Sequence, residues 1–117
     1  MISKQLQQVR DHEQREEKLI GEADRPVFHF SPRTGWLNDP NGFSFYKGEY
    51  HLFYQYHPYS AYWGPMHWGH AVSKDLISWK YLSAAMAPDT EYDCAGCFSG
   101  TAITLPDGRQ LLPDSSP

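Results

Sequence analysis

The stretch that most constrains this chain runs from Phe43 to Leu82. Short aromatic-rich segments alternate there with turn residues, and no helical period interrupts them. The clearest signal lies in Glu49–Tyr56. Tyr50, Leu52, Tyr54 and Tyr56 alternate with His51, Phe53 and Gln55, the period of two that puts each set on its own face of a strand. Phe43–Tyr46 precedes it across Lys47-Gly48, which reads as a two-residue hairpin turn. Third and fourth strands are expected over 67–73 and 79–82, with loops at 57–65 and 74–78. Four antiparallel strands in about forty residues is the size of one propeller blade. After a loop over 83–95, residues 97–104 and 109–112 predict another hairpin around Pro106-Asp107-Gly108, the opening of a second blade. The fold class is therefore all-β, as one to two blades of a propeller.

Upstream the composition is different. Residues 2–22 predict a charged helix, in which Ile2, Leu6, Val9, Leu19 and Ile20 form a thin apolar stripe and Gly21 is the expected stop. Such a helix lies against a domain edge or frays, and it carries no recognisable chemistry. Residues 1–24 are thus read as a helical extension and 25–117 as the β part.

Charge and composition exclude several function classes. A net charge of −4 and a pI near 5.8 argue against nucleic acid or a membrane surface as partner. No apolar run approaches the ~20 residues that cross a bilayer. The N-terminus lacks the apolar core of a signal peptide, so a cytoplasmic location is expected. Cys94 and Cys97 form a lone Cys-x-x-Cys without the further ligands or βαβ setting that metal or redox chemistry needs. His67-x-x-His70 is the best metal pair, but on a strand its two rings point to opposite faces. Neither a metal nor another cofactor is expected.

The chemistry concentrates in Trp36-Leu37-Asn38-Asp39-Pro40-Asn41-Gly42. Pro40 fixes its own φ, lacks an N–H and drives Asp39 into an extended conformation. Asn41-Gly42 is expected to make a tight turn, leaving Asp39 at a rigid corner. Asp-Pro and Asn-Gly are also ordinary loop signals. A sugar site needs flat apolar faces for the C–H side of a ring, and amides or carboxylates for its hydroxyls. Trp36, Asn38, Asp39, Gln55, Trp63, Trp68, Phe98 and Ser99 are of those types. Each has a plainer alternative: Gln55 as a satisfied core amide, Trp63 as cover for a blade edge, Trp68 as core.

In that order, the heptapeptide is followed by Phe53-Tyr54-Gln55-Tyr56-His57-Pro58, Trp63-Gly64-Pro65-Met66-His67-Trp68-Gly69-His70, Ser73-Lys74-Asp75-Leu76-Ile77-Ser78-Trp79 and Phe98-Ser99-Gly100. Together they resemble glycoside hydrolase family 32, over about residues 25–112. The resemblance implies a five-bladed β-propeller with an axial active site, followed by a β-sandwich. It implies hydrolysis of the terminal β-D-fructofuranoside bond of sucrose or sucrose 6-phosphate by a retaining, two-carboxylate mechanism. Asp39 matches the nucleophile. Asn38 matches a residue that binds fructosyl hydroxyls, with Trp36 and Leu37 shaping the same wall. Gln55, Trp63, Phe98 and Ser99 match further substrate contacts.

Two motifs of that family are missing, an Arg-Asp-Pro and the Glu-Cys that carries the acid/base. Asp89, Glu91 and Asp93 sit in a setting that gives no sign of an acid. With one carboxylate instead of two, and about two blades where closure takes four or more, the chain is expected to be an inactive N-terminal piece of a larger enzyme. The Pro113-Asp114-Ser115-Ser116-Pro117 tail fits a frame-shifted end. The alternatives are a non-catalytic carbohydrate-binding fragment or pseudogene product, and a levan- or inulin-cleaving member of the family.

Overall fold

The computed structural model describes residues 1–113. The polar tail expected to be frame-shifted lies, from residue 114 on, outside the described residues. Four strands form one antiparallel meander in the order β1-β2-β3-β4: β1 Trp36–Tyr46, β2 Glu49–His57, β3 His67–Ser73 and β4 Lys80–Met86. A separate two-stranded hairpin joins β5 Ile103–Thr104 to β6 Gln110–Leu111. One α-helix, α1 Lys4–Glu16, precedes them.

The alternation in β2 sorts as its spacing requires. Tyr54 and Tyr56 pack with Ala71, Leu52, Phe30, Trp79 and Tyr81 on one face. Phe53 packs with Trp68 and Cys97 on the other, where Leu112 joins them. Lys47 and Gly48 both take positive φ, 50° and 82°, the type I′ geometry whose twist matches the flanking strands. The β2–β3 ladder runs from Tyr50↔Ser73 to Tyr56↔His67 without a register shift.

Four expectations are corrected. Asn41-Gly42 does not reverse the chain. Gly42 alone has φ > 0, at 50°, and β1 continues through it because β2 offers a pairing partner along its whole length. Gly42 instead relaxes a bulge, since two residues, Gly42 and Phe43, lie opposite Leu52 between the pairs Asn41↔Phe53 and Ser44↔His51.

The helix does not reach Gly21. It tightens into 3₁₀ turns at Glu17–Leu19 and Glu22–Asp24, Ile20 between them is extended, and Gly21 is extended too, at φ −71° and ψ 151°. The reason lies across the chain: Glu17 is drawn to Arg33, whose Nε donates to its Oε2 at 2.6 Å.

The segment 97–102 is not a strand of the second hairpin. It is a strap hydrogen-bonded to the first sheet, through Cys97 N–H to Met66 C=O at 2.8 Å and Gly42 N–H to Gly100 C=O at 3.3 Å. The fourth strand, expected to end at Leu82, runs on to Met86, which pairs with Trp68 beyond a bulge.

The helix lies against the outer strand of the sheet. Val9 packs on Ala84 and Ala87, with Leu6 beside them. Arg10 donates through Nε and Nη2 to the Ala84 carbonyl at 3.1 and 3.0 Å, while the Glu13 carboxylate accepts the Ala84 N–H at 3.1 Å. Two side chains of one helical turn therefore satisfy both backbone groups of an edge-strand residue, as a neighbouring strand otherwise does. Ser3 caps the helix by accepting the Leu6 N–H at 3.0 Å, and its hydroxyl donates to Asp89.

Candidate functional site

The Asp39 corner is a β-bulge in an edge strand. Between the pairs Leu37↔Tyr56 and Pro40↔Tyr54, the two residues Asn38 and Asp39 lie opposite the single residue Gln55. Pro40 fits here because β1 has a neighbour on only one side, so its missing N–H removes little pairing. A bulge bends its strand and re-aims the side chains on it. Asn38, Asp39 and Pro40 are exposed, while the Asn41-Gly42 step that follows is buried.

Hydrogen bonds tie the surrounding residues to this corner. Trp36 Nε1–H donates to Asn38 Oδ1 at 3.1 Å, which fixes the accepting end of that amide and leaves its NH₂ as a donor. Gln55 is buried, and its Nε2–H donates to Ser99 Oγ at 3.2 Å. The strap that carries Ser99 is held in turn by Trp68, whose Nε1–H donates to the Phe98 carbonyl at 2.9 Å. Trp68 is wholly buried, so it is core and supports the site from beneath.

Two expected residues stand apart. Leu37 turns to the opposite face and packs in the Tyr54–Tyr56 cluster, so it backs the wall rather than lining it. Trp63 is 65% exposed on the 58–66 loop. That loop is closed by His57 and His67, whose Nδ1 atoms both donate to the Pro65 carbonyl, at 3.2 and 3.0 Å. The structure thus joins Trp36, Asn38, Asp39, Gln55, Phe98 and Ser99 around one bulge, with Trp63 on a separate arm.

Asn41 was missed in the sequence. It pairs with Phe53 across the ladder, so it shares the face of Gln55, and it is only 2% exposed. Neither end of its amide has a partner among the described residues, and neither does Gln55 Oε1. A buried polar atom left unpaired costs about 1–3 kcal/mol, so these amides await polar groups. The signal was available: two residues beyond Asp39, with Pro40 between, Asn41 returns to the same face of an extended strand.

Elsewhere, in the loop that follows β4, Asp89 and Asp93 hold hydrogen bonds within the fold. Asp93 Oδ1 accepts from the Thr90 N–H and hydroxyl at 2.8 and 3.0 Å, and Asp89 accepts from Ser3. Desolvation holds the buried His67 and the half-buried His70 down to about 4, below the ordinary imidazole value. His70 lies stacked on Phe53, with ring centroids 4.1 Å apart. Among the described residues no group of three or more His, Cys, Asp or Glu is placed to hold a metal, and no helix is long and apolar enough to cross a membrane. A cleft between the Arg25–Ser31 segment and Ile77–Tyr81 lies away from the bulge.

Comparison with known proteins bears on this arrangement directly. The model of the glycosyl hydrolases family 32 N-terminal domain matches residues 29–112. A sucrose-6-phosphate hydrolase of Zymomonas mobilis is 57% identical over 86 residues, which cover 74% of this chain and 17% of that protein. A levanase of Bacillus subtilis is 60% identical over 79 residues, or 68% of this chain and 11% of its own length. Among solved structures, a β-fructofuranosidase of Bombyx mori superposes with a TM-score of 0.75 and 48% identity, covering 86% of this chain and 21% of that one. A variant of the same enzyme has been solved with sucrose. The chain therefore spans only a small part of the relatives it matches. Its meander, with the short helix before it, is a blade of their β-propeller, and the chain belongs to glycoside hydrolase family 32.

Proposed function

We propose that this chain carries the nucleophile side of a retaining fructoside-hydrolysing site, with sucrose or sucrose 6-phosphate as substrate. The observation that carries the reading is the bulge that sets the exposed Asp39 carboxylate and Asn38 opposite Gln55. Asp39 attacks the anomeric carbon of the fructosyl unit. Its rigid backbone, between a proline and a bulge, keeps the ordering needed for attack small. Asn38 donates to fructosyl hydroxyls, while Gln55 Oε1, buried and unpaired, accepts from one. Trp36, Phe98 and Trp63 offer flat faces to the ring, and Ser99 holds Gln55 in place.

A retaining mechanism needs a second carboxyl group about 5–5.5 Å from the first, to protonate the leaving oxygen. We assign that role to none of Asp89, Glu91 or Asp93. The 17% share of the Zymomonas protein supports an acid supplied by a longer protein, and this stretch alone is then inactive. The levanase relative favours a second reading, in which the fructoside is a levan or related fructan.

The test is chemical trapping in the complete protein. A reaction with sucrose, quenched within one turnover and analysed by mass spectrometry, is expected to leave a fructosyl group on the peptide containing Asp39. Label on another carboxylate overturns the assignment. Sugar binding without turnover or adduct makes the protein a non-catalytic carbohydrate binder. Faster turnover of levan than of sucrose selects the fructan reading.

A further inference from the structure

Residues 4–19 precede the stretch matched by the family model, yet they reach both arms of the sugar wall. The first arm is the 31–35 loop that leads into Trp36. Arg33 on this loop donates through Nε to Glu17 Oε2, and its Nη2 lies 2.6 Å from the same oxygen. Its Nη1 faces Glu13 Oε2 at 3.5 Å. Glu13 is wholly buried and the same Oε2 accepts the Ala84 N–H at 3.1 Å, so this contact is shielded from water and tied to the sheet edge as well. Arg25 secures the same loop from the other side, donating to the carbonyls of Pro32 and Arg33 at 2.8 and 2.7 Å.

The second arm is the loop that begins at Pro58 and carries Trp63. His12, next to Glu13 on α1, donates through Nε2–H to the Pro58 carbonyl at 2.9 Å, and its ring meets Tyr59 with centroids 4.7 Å apart. The two arms also touch each other. Thr34 Oγ1 donates to the same Pro58 carbonyl at 3.5 Å. A Cβ on Gly35, which has φ 69°, would stand 2.3 Å from the His57 carbonyl oxygen, so the arms meet backbone to backbone.

We propose that α1 is a positioning element of the site, in which Glu13 and Glu17 hold the Trp36–Asp39 arm, His12 holds the Trp63 arm, and one helix sets the distance between them. The proposal rests on the fructoside reading above. None of these helix residues touches substrate. They act by presetting two walls that must face one ring together, and misplacement of about 1 Å at such a distance is enough to lose 10²-fold in rate.

The test compares His12→Phe, His12→Gln and Arg33→Lys in the complete protein, with sucrose as substrate. His12→Phe keeps the ring against Tyr59 and removes the hydrogen bond, while His12→Gln keeps an N–H donor. Arg33→Lys keeps the charge but loses the fork that spans two carboxylates. The expected result is a rise in KM of about five- to tenfold for His12→Phe, with kcat within about twofold and an unchanged melting temperature, since a loosened Trp63 wall weakens a contact made alike in ground and transition states. His12→Gln is expected to restore KM, and Arg33→Lys to lower kcat because it frees the Asp39 arm. Hydrogen exchange read on the same proteins is expected to quicken at 58–66 for His12→Phe and at 34–40 for Arg33→Lys. Unchanged KM and kcat in both variants overturn the proposal, as do activity losses that only follow a lowered melting temperature. A wild type inert towards every fructoside counts against the fructoside reading instead, and unchanged exchange at both arms then overturns the clamp as well.

Discussion

The edge strand β1 and the central β2–β3 ladder are neighbours in one sheet and are built on opposite plans. The ladder pairs residue for residue along its length, and all of β3 except His70 is buried. β1 slips register twice, carries a proline, and is exposed at Asn38, Asp39 and Pro40. Regular pairing satisfies every backbone group and leaves nothing to aim. The bulges of β1 sacrifice pairing and in return present a carboxylate and an amide. Such irregularity is tolerated only because an unbroken ladder lies beside it. Chemistry on the edge and stability in the centre should therefore respond to different substitutions.

The largest separation is expected at Asp39. In the complete protein, Asp39→Asn keeps the shape and removes the proposed nucleophile, so kcat on sucrose should fall by on the order of 10⁴-fold or more. The melting temperature should stay nearly constant, because the side chain is exposed. A variant that keeps most of its rate would erase the distinction between edge and ladder.

Trp68→Ala tests the other side. This fully buried indole joins Phe53 to Cys97 and holds the Phe98 carbonyl, so its loss should cost about 3–5 kcal/mol of stability. Activity is expected to decline only through the unfolded fraction and the loosened strap. Denaturant unfolding of both forms measures it.

Acid should act on the ladder before the edge. His67 and His70 titrate near 4 when folded against about 6.5 when unfolded. The unfolded chain thus binds more protons, and stability is lost as pH falls from about 6.5 towards 4, by on the order of 2 kcal/mol per histidine. His70→Gln should remove roughly half of that loss in melting curves taken from pH 7 to 4.5, if the two contribute alike. Glu13 on the helix seam has the opposite sign. Burial raises its pKa above 4.5, more than the Ala84 N–H and Arg33 lower it. Its contribution is therefore complete below pH 4.5 and lost as pH rises through the raised value, and Glu13→Gln should flatten that component.

Ser99→Ala gives a smaller effect at the edge. It removes the acceptor for the buried Gln55 Nε2, so about 1 kcal/mol of stability and roughly a fivefold rise in KM are expected. Lys47→Asn gives the smallest. Lys47 sits at φ 50° before Gly48, where asparagine is favoured, so a gain of about 0.5 kcal/mol is expected in thermal unfolding with no change in kinetics.

Residues with a strong local pattern were legible without coordinates. Alternation assigned Tyr54 and Phe53 to opposite faces, Lys47-Gly48 announced its turn, and the heptapeptide with its companions identified the family. What the tertiary structure decided was every feature that depends on a distant partner. Asn41-Gly42 has the composition of a turn, yet pairing with β2 made it a bulge and buried Asn41 on the face of Gln55. Leu37 left the wall because its register with Tyr56 faces the other way. The helix ended where Glu17 met Arg33, and residues 97–102 became a strap because their hydrogen-bond partners were Met66 and Gly42. Period and φ preference are properties of a few adjacent residues. Register, bulges and buried ion pairs are set by which strand or carboxylate lies across the gap, and in this chain only folding brings those groups together.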